Sequence, residues 1–215
     1  ITIACSTGIR STESLDAACA QIAGLGIRYV DPLAMEQWHI KPSRLLDHAA
    51  QEAQQARETF DRHDLTCAAI NLGFAHNLST CTDREQPTNL RVLEGACLLA
   101  QALDTTILTV SPGGMGNEDR DVVLDRLSAR LNEMLVLARE TGVTLALETH
   151  DDWTDSTVFR RLMDEGVIDA HESWRAGDTT LIFIGGVTLD EMIPRVEKYF
   201  GHMERKPEPP RYAGR

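Results

Sequence analysis

Four helix-to-strand units follow one another along this chain at nearly constant spacing, and that regularity restricts the fold more than any single motif does. Leu15, Ala18, Cys19, Ile22 and Leu25 recur at the three-and-four interval of an amphipathic helix, with Ser11 and Thr12 as the expected cap and Gly24 and Gly26 at its end. Ile27 to Val30 then reads as a strand. The second unit places Leu45, Leu46, Ala49, Ala53, Ala56 and Phe60 on a helix begun by Pro42 and Ser43, and Cys67 to Ile70 on a strand ended by Asn71. The third runs from a helix carrying Leu90, Leu93, Ala96, Cys97, Ala100 and Leu103 into Thr106 to Val110 and the turn Ser111-Pro112-Gly113-Gly114. The fourth carries Val123, Leu127, Leu131, Met134, Leu135 and Ala138, stops at Gly142, and continues as Val143 to Leu147. Strands thus begin near positions 27, 66, 106 and 143, at intervals of 39, 40 and 37.

Each strand is a continuous apolar run, which predicts burial on both faces, as in a parallel sheet covered by helices. An open doubly wound sheet and a closed barrel both satisfy that pattern. No G-x-G-x-x-G or G-x-x-x-x-G-K-[ST] follows any strand, which removes the usual phosphate cradles of the open folds. What stands at or just past the strand ends is chemical: Cys5, Asp31, Asn71, Ser111, Glu148 and His150. Barrel enzymes build their sites from such C-terminal ends. The expected fold is therefore an α/β chain forming a (β/α)8 TIM barrel.

With 215 residues, 42% of them hydrophobic, one large domain is expected. The barrel is assigned to 1–206 and an extended Pro-rich tail to 207–215. The net charge of −12, with basic residues scattered, argues against nucleic acid or an anionic membrane as the main partner, and no apolar run approaches the roughly 20 residues of a membrane span. Cys5, Cys19, Cys67, Cys81 and Cys97 form no C-x-x-C pair and read as reduced core residues. No secretory signal opens the sequence, so the cytoplasm is the expected compartment, although Ile1 is not an initiator Met and leaves room for a leader.

In Glu148-Thr149-His150-Asp151-Asp152, alternation along a strand puts Glu148 and His150 on one side. A carboxylate ending an apolar strand needs a cation or donors, so Glu148 is a candidate metal ligand and base. Asp151 and Asp152 read as caps of a helix opening near Trp153. Gly166 to His171 reads as a short strand offering Asp169 and His171. Carboxylates with imidazoles suit Mn²⁺, Mg²⁺, Co²⁺ or Zn²⁺. His48 and His63 read as solvated surface residues, while His39 and His76 follow strands, where they could touch substrate.

Asp31-Pro32-Leu33-Ala34, Asn71-Leu72-Gly73, Ser111-Pro112-Gly113-Gly114 and above all Leu145-Ala146-Leu147-Glu148-Thr149-His150, in that order and spacing, resemble the xylose isomerase-like barrel superfamily, in particular its sugar phosphate isomerases and epimerases. That resemblance covers about residues 1–165. It implies a divalent metal ion held by Glu148 and Asp169, with Glu204 loosely matching the strand-eight glutamate and His171 matching the strand-six histidine. No residue matches the strand-seven histidine. The chain ends 44 residues after His171, short of two further units, so the barrel is either incomplete or lacks residues near 165–167 and 177–180. Thr179 to Ile184 reads as a strand.

The resemblance implies a metal-dependent isomerase or epimerase of sugars or sugar phosphates that moves a proton next to a carbonyl through an enediolate. Glu148 and Glu204 are its implied catalytic carboxylates, the metal ligands are Glu148, Asp169 and Glu204, and Asn71, His76, Ser111, His150 and His171 are the expected substrate contacts. The expected partner is a small carbohydrate, and a homo-oligomer is compatible with the sequence. The rival readings are a metal-free, non-catalytic barrel, a related dehydratase, and an abasic-site endonuclease, the last opposed by the acidic charge.

Overall fold

The computed structural model describes residues 2–148, 151–153, 180–183 and 194. Its strands are β1 (Thr2–Ser6), β2 (Tyr29–Asp31), β3 (Leu33–Ala34), β4 (Thr66–Cys67), β5 (Ile70–Leu72), β6 (Ile107–Val110), β7 (Thr144–Leu147) and β8 (Thr180–Phe183). The helices α1 (Leu15–Gly24), α2 (Pro42–Arg62), α3 (Gln86–Ala102) and α4 (Arg120–Thr141) alternate with them.

Every described strand pair is parallel. The ladders run β4-β2-β1-β8 and β3-β5-β6-β7. β2 and β3 are halves of one run broken at Pro32, which has no N–H to give to a ladder, and β4 and β5 are halves of another broken at Ala68 and Ala69. The two ladders therefore form one continuous arc in chain order, with β8 beside β1 as the returning strand of a barrel would be. The strand expected over Thr179 to Ile184 is this β8.

Several boundaries differ from the sequence reading. Helix α1 starts at Leu15 under Ser14, whose Oγ accepts the Ala17 N–H at 3.2 Å, because Thr7–Arg10 forms a separate 3-10 turn ahead of it. The strand expected over Ile27 to Val30 lies at Tyr29–Asp31, since Gly26 takes a positive φ of 78° and delays it. Asn71 does not end its strand but sits inside β5, which runs on to Leu72.

The core lies between the strands and the helices. Ile70, Leu72, Leu108 and Val110 are buried beneath Phe60, Val92, Leu93, Ala96, Leu99, Leu127 and Met134 in one continuous cluster. Helices α2 and α3 approach closely because residue 95 is glycine. A Cβ there would overlap the Leu45 carbonyl and lie 2.9 Å from the Leu45 Cβ. Helix α2 bends at His48 (φ −137°), and Arg91 Nη2 donates to the Leu46 carbonyl at 3.1 Å. Helix α4 is capped by Asp119, which accepts from the amides of Asp121 and Val122, and it stops at Gly142 in the left-handed region at φ 72°. All five cysteines are buried and free, as their scattered placement suggested.

Candidate active site at the carboxyl ends of the strands

Parallel pairing aligns Asn71 with Thr109 and Thr109 with Ala146. Paired residues on neighbouring strands point the same way, and Glu148 lies two positions beyond Ala146, so Asn71, Thr109, Ala146 and Glu148 share one face. Their neighbours Ile70, Leu72, Leu108 and Val110 occupy the opposite, helix-covered face and are buried. The face carrying Glu148 is therefore the interior of the barrel wall. The Glu148 N–H continues the ladder by donating to the Val110 carbonyl at 2.8 Å.

Asp31 joins this interior from the first half of the arc. It is almost fully buried at the end of β2, level with Ser6 of β1, and the second half of its run sets Leu33 against Asn71. Burial pushes its pKa up to about 7, and the negative charge of Glu148 adds to the rise; the Asn71 backbone amide opposes both. Two carboxylates that repel one another across a buried space mark a place for a proton, a cation or hydrogen-bond donors. Sequence reading noted Asp31 only as a strand-end residue and within the family-like motif, because burial of a carboxylate cannot be read from its neighbours along the chain.

Two oxygens here are buried without a hydrogen-bond partner among the described residues: Asp31 Oδ1 and Asn71 Oδ1. The hydroxyl oxygens at the end of β1 accept from amides of other residues. Ser6 Oγ accepts from the Gly8 N–H at 3.2 Å. Thr7 Oγ1 accepts the Leu33 N–H at 3.0 Å, replacing the ladder bond lost at Pro32, and is 3.0 Å from His39 Nδ1. His39 Nε2 lies 3.0 Å from the Arg10 carbonyl, so this imidazole ties two loops together.

The loops that rim the mouth are tied to each other. Ser79 Oγ donates to the Pro112 carbonyl at 2.7 Å and Asn77 Nδ2 to the Gly114 carbonyl at 2.9 Å. Ser111 Oγ accepts the Gly113 N–H at 3.2 Å, which turns it back into its own loop. Asp151–Trp153 is a 3-10 turn, and Asp152 Oδ2 accepts the Met115 N–H at 2.9 Å, while the helix expected to open near Trp153 lies outside the described residues. Trp153 is buried and donates through Nε1 to the Gly113 carbonyl. His76 is held through its backbone by the Asn89 carboxamide, at 3.0 and 2.9 Å, and its ring faces Glu85 at 3.4 Å. His63 is not simply solvated: its Nε2 lies 2.9 Å from Asp16.

Of the residues singled out in the sequence, the structure brings Glu148 and Asn71 to one face and leaves Ser111 and His76 in the rim loops. Asp169, His171, His150 and Glu204 lie outside the described residues, as do the junctions near 165–167 and 177–180 and the boundary at 206. Among the described residues no three His, Cys, Asp or Glu side chains are grouped to hold a metal ion. The Glu148 carboxylate nevertheless supplies an oxygen donor of the kind that a hard divalent ion takes. No helix among the described residues is long and apolar enough to cross a membrane.

Comparison with known proteins agrees with this architecture. Solved structures similar to the chain include a D-tagatose 3-epimerase-like protein, with 19% identity and a TM-score of 0.56 over 69% of this chain and 53% of the other. An AP endonuclease of family 2 from Brucella melitensis is similar at 15% identity and a TM-score of 0.58, over 94% of this chain and 78% of the other. A xylose isomerase-like TIM barrel protein from Mycobacterium smegmatis, in complex with magnesium, is similar at 16% identity and a TM-score of 0.60, over 92% and 72%. The chain thus spans about half the length of the D-tagatose 3-epimerase-like protein. No curated protein matches the sequence. The parallel helix-covered arc, with its carboxylates at the carboxyl ends of the strands, coincides with a match over residues 19–176, and the chain belongs to the xylose isomerase-like TIM barrel family.

Proposed function

We propose that this chain is a divalent-metal-dependent isomerase or epimerase of a sugar or sugar phosphate, acting by proton transfer beside a carbonyl. The observation that carries the reading is the placement of Glu148 at the carboxyl end of β7, on the interior face it shares with Asn71 and within electrostatic reach of buried Asp31. Membership of the family and the likeness to an epimerase-like structure support it.

Glu148 would hold the ion together with Asp169 and Glu204, the further ligands implied by the resemblance. When bound, a divalent ion draws electron density from the carbonyl oxygen and makes the adjacent C–H more acidic. A Glu148 carboxylate oxygen receives the proton, and a second carboxylate on the other side of the carbon, for which Glu204 is the candidate, returns it with inversion. Delivery of the proton by a single base to the adjacent, former carbonyl carbon gives aldose–ketose isomerisation instead. The rim loops bound together through Ser79, Asn77, Asp152 and Trp153 keep the mouth in one shape, which holds the reacting carbon in place.

Solvent exchange tests the proposal. The purified chain is incubated in D₂O with Mn²⁺ and a panel of ketohexoses, aldohexoses and their phosphates, and deuterium at the carbon next to the carbonyl is followed by NMR. Metal-dependent incorporation into at least one member is the expected result. Absence of exchange across the panel, in a chain that also binds no divalent ion in stoichiometric amount, overturns the proposal in favour of a non-catalytic barrel. The endonuclease alternative is checked by nicking of a duplex with one abasic site. The net charge of −12 opposes that activity, because a phosphate backbone needs a basic groove.

A further inference from the structure

We infer that Asp31 and Asn71 form a paired acceptor that seats a neutral hydroxyl-bearing carbon of the substrate, and that this pair decides which sugars the site accepts. The inference rests on the epimerase reading above and concerns the same cavity.

The carrying observation is the pair of orphaned oxygens. Asp31 Oδ1 and Asn71 Oδ1 are buried and have no hydrogen-bond partner among the described residues. A buried acceptor left unpaired forfeits the hydrogen bond that water gave it in the unfolded chain. Two of them on neighbouring strand runs, Asp31 at the end of β2 and Asn71 inside β5, point to a partner supplied from outside. Among the described residues none supplies it: the Ser6, Thr7 and Ser111 hydroxyl oxygens accept from the Gly8, Leu33 and Gly113 amides. Asn71 Oδ1 accepts, as does Asp31 Oδ1 on the ionised carboxylate, so a partner that brings hydrogen donors suits both.

Charge narrows the class further. The described residues at or near the carboxyl ends of the strands, Cys5, Ser6, Asp31, Asn71, Ser111 and Glu148, include no Lys or Arg. Among the described residues, a phosphate or carboxylate lying over Asp31 and Asn71 would meet the Asp31 carboxylate and no Lys or Arg, whereas an alcohol O–H donates to either oxygen without that penalty. The portion of the substrate lying over Asp31 and Asn71 is therefore an unphosphorylated polyol segment, and any phosphate it carries lies elsewhere.

The test uses the full chain with Mn²⁺, with D-fructose, D-tagatose and their monodeoxy analogues as probes. Calorimetry gives the affinity for sugar and for Mn²⁺, and thermal unfolding without sugar gives the midpoint. Asp31→Leu and Asn71→Leu are expected to keep or raise the midpoint, since each removes an unsatisfied buried group, while weakening ketohexose binding about tenfold or more. Asp31→Asn preserves the shape should the Leu variant fold poorly, and should weaken binding in the same direction. Mn²⁺ affinity stays within about twofold of wild type. One monodeoxy ketose binds the wild type about tenfold more weakly than its parent, and that difference disappears in Asp31→Leu.

Unchanged sugar affinity in the variants, a lowered midpoint in all three, or a loss of Mn²⁺ affinity equal to the loss of sugar affinity overturns the acceptor pair. If the wild type exchanges deuterium but the variants bind normally, only the pair fails. If the variants show the expected binding losses but the wild type exchanges no deuterium, the pair stands and the epimerase reading fails. A wild type that binds none of these sugars overturns both.

Discussion

Asp31 ends β2 and Glu148 follows β7, on strand runs that two other runs separate, yet their charges act on each other through the interior of the barrel wall. Only the curvature of the arc allows this. On a flat sheet, three strand spacings of about 4.8 Å would set the two residues roughly 14 Å apart. The relationship defines the site: a carboxyl held partly protonated near neutrality beside a second carboxylate at the mouth of the barrel.

Stability should fall with pH because of Asp31. Its folded pKa of about 7 stands above the ordinary 3.8, so the folded chain binds the proton more tightly than the unfolded one. The stabilisation is complete below about pH 4 and is lost as pH rises through 7, with ~4 kcal/mol as the upper limit. Asp31→Asn removes that dependence. Chemical unfolding of the metal-free protein at pH 5 and pH 8 checks this, and a difference of the same size in wild type and Asp31→Asn would assign it to another group.

Glu148→Gln should leave the fold intact, because the ladder bond at this position comes from the backbone N–H to Val110. Turnover should fall at least a hundredfold, the lower end of what a positioned acid or base contributes. Circular dichroism and deuterium exchange, measured on the same preparation, separate the two effects.

Gly95→Ala should destabilise the chain by about 1–3 kcal/mol through overpacking. The new methyl would meet the Leu45 carbonyl and Cβ, both parts of a rigid helix turn rather than the end of a flexible side chain. Urea unfolding measures the change. Gly24→Ala, where nothing lies within 4 Å of the added atom, is the matched control and should be neutral or slightly stabilising.

Thiol labelling should be slow in the folded state. Burial raises the pKa of all five cysteines, that of Cys19 to about 12, and the nearby charges of Asp31 and Asp16 add to the rise at Cys5, Cys67 and Cys19. Because the thiolate is the reactive species, reaction with Ellman's reagent at pH 8 should be at least a hundredfold slower than in denaturant. One rapidly modified cysteine in the native protein would contradict the burial found here.

The periodicity of Leu90 to Leu103 and of Val123 to Ala138, the apolar runs that follow them, and the near-constant spacing of the units were enough to establish parallel strands under helices. Helix periodicity and strand burial are local properties, written in the order of side chains. The same local evidence put Glu148 at a strand end, where a carboxylate is costly. It could not reveal that Pro32 and the Ala68-Ala69 pair split two strand runs, or that Thr7 and Asp152 repair neighbouring amides, since those bonds join residues 26 and 37 positions apart. Nor could it reveal the pairing of Asp31 with Asn71 and Glu148, because burial and the loss of partners are set by what the curved arc brings together from four separate units. Order along the chain determined the elements, and the closing of those elements on one another decided which polar atoms were left facing the interior without a partner among the described residues.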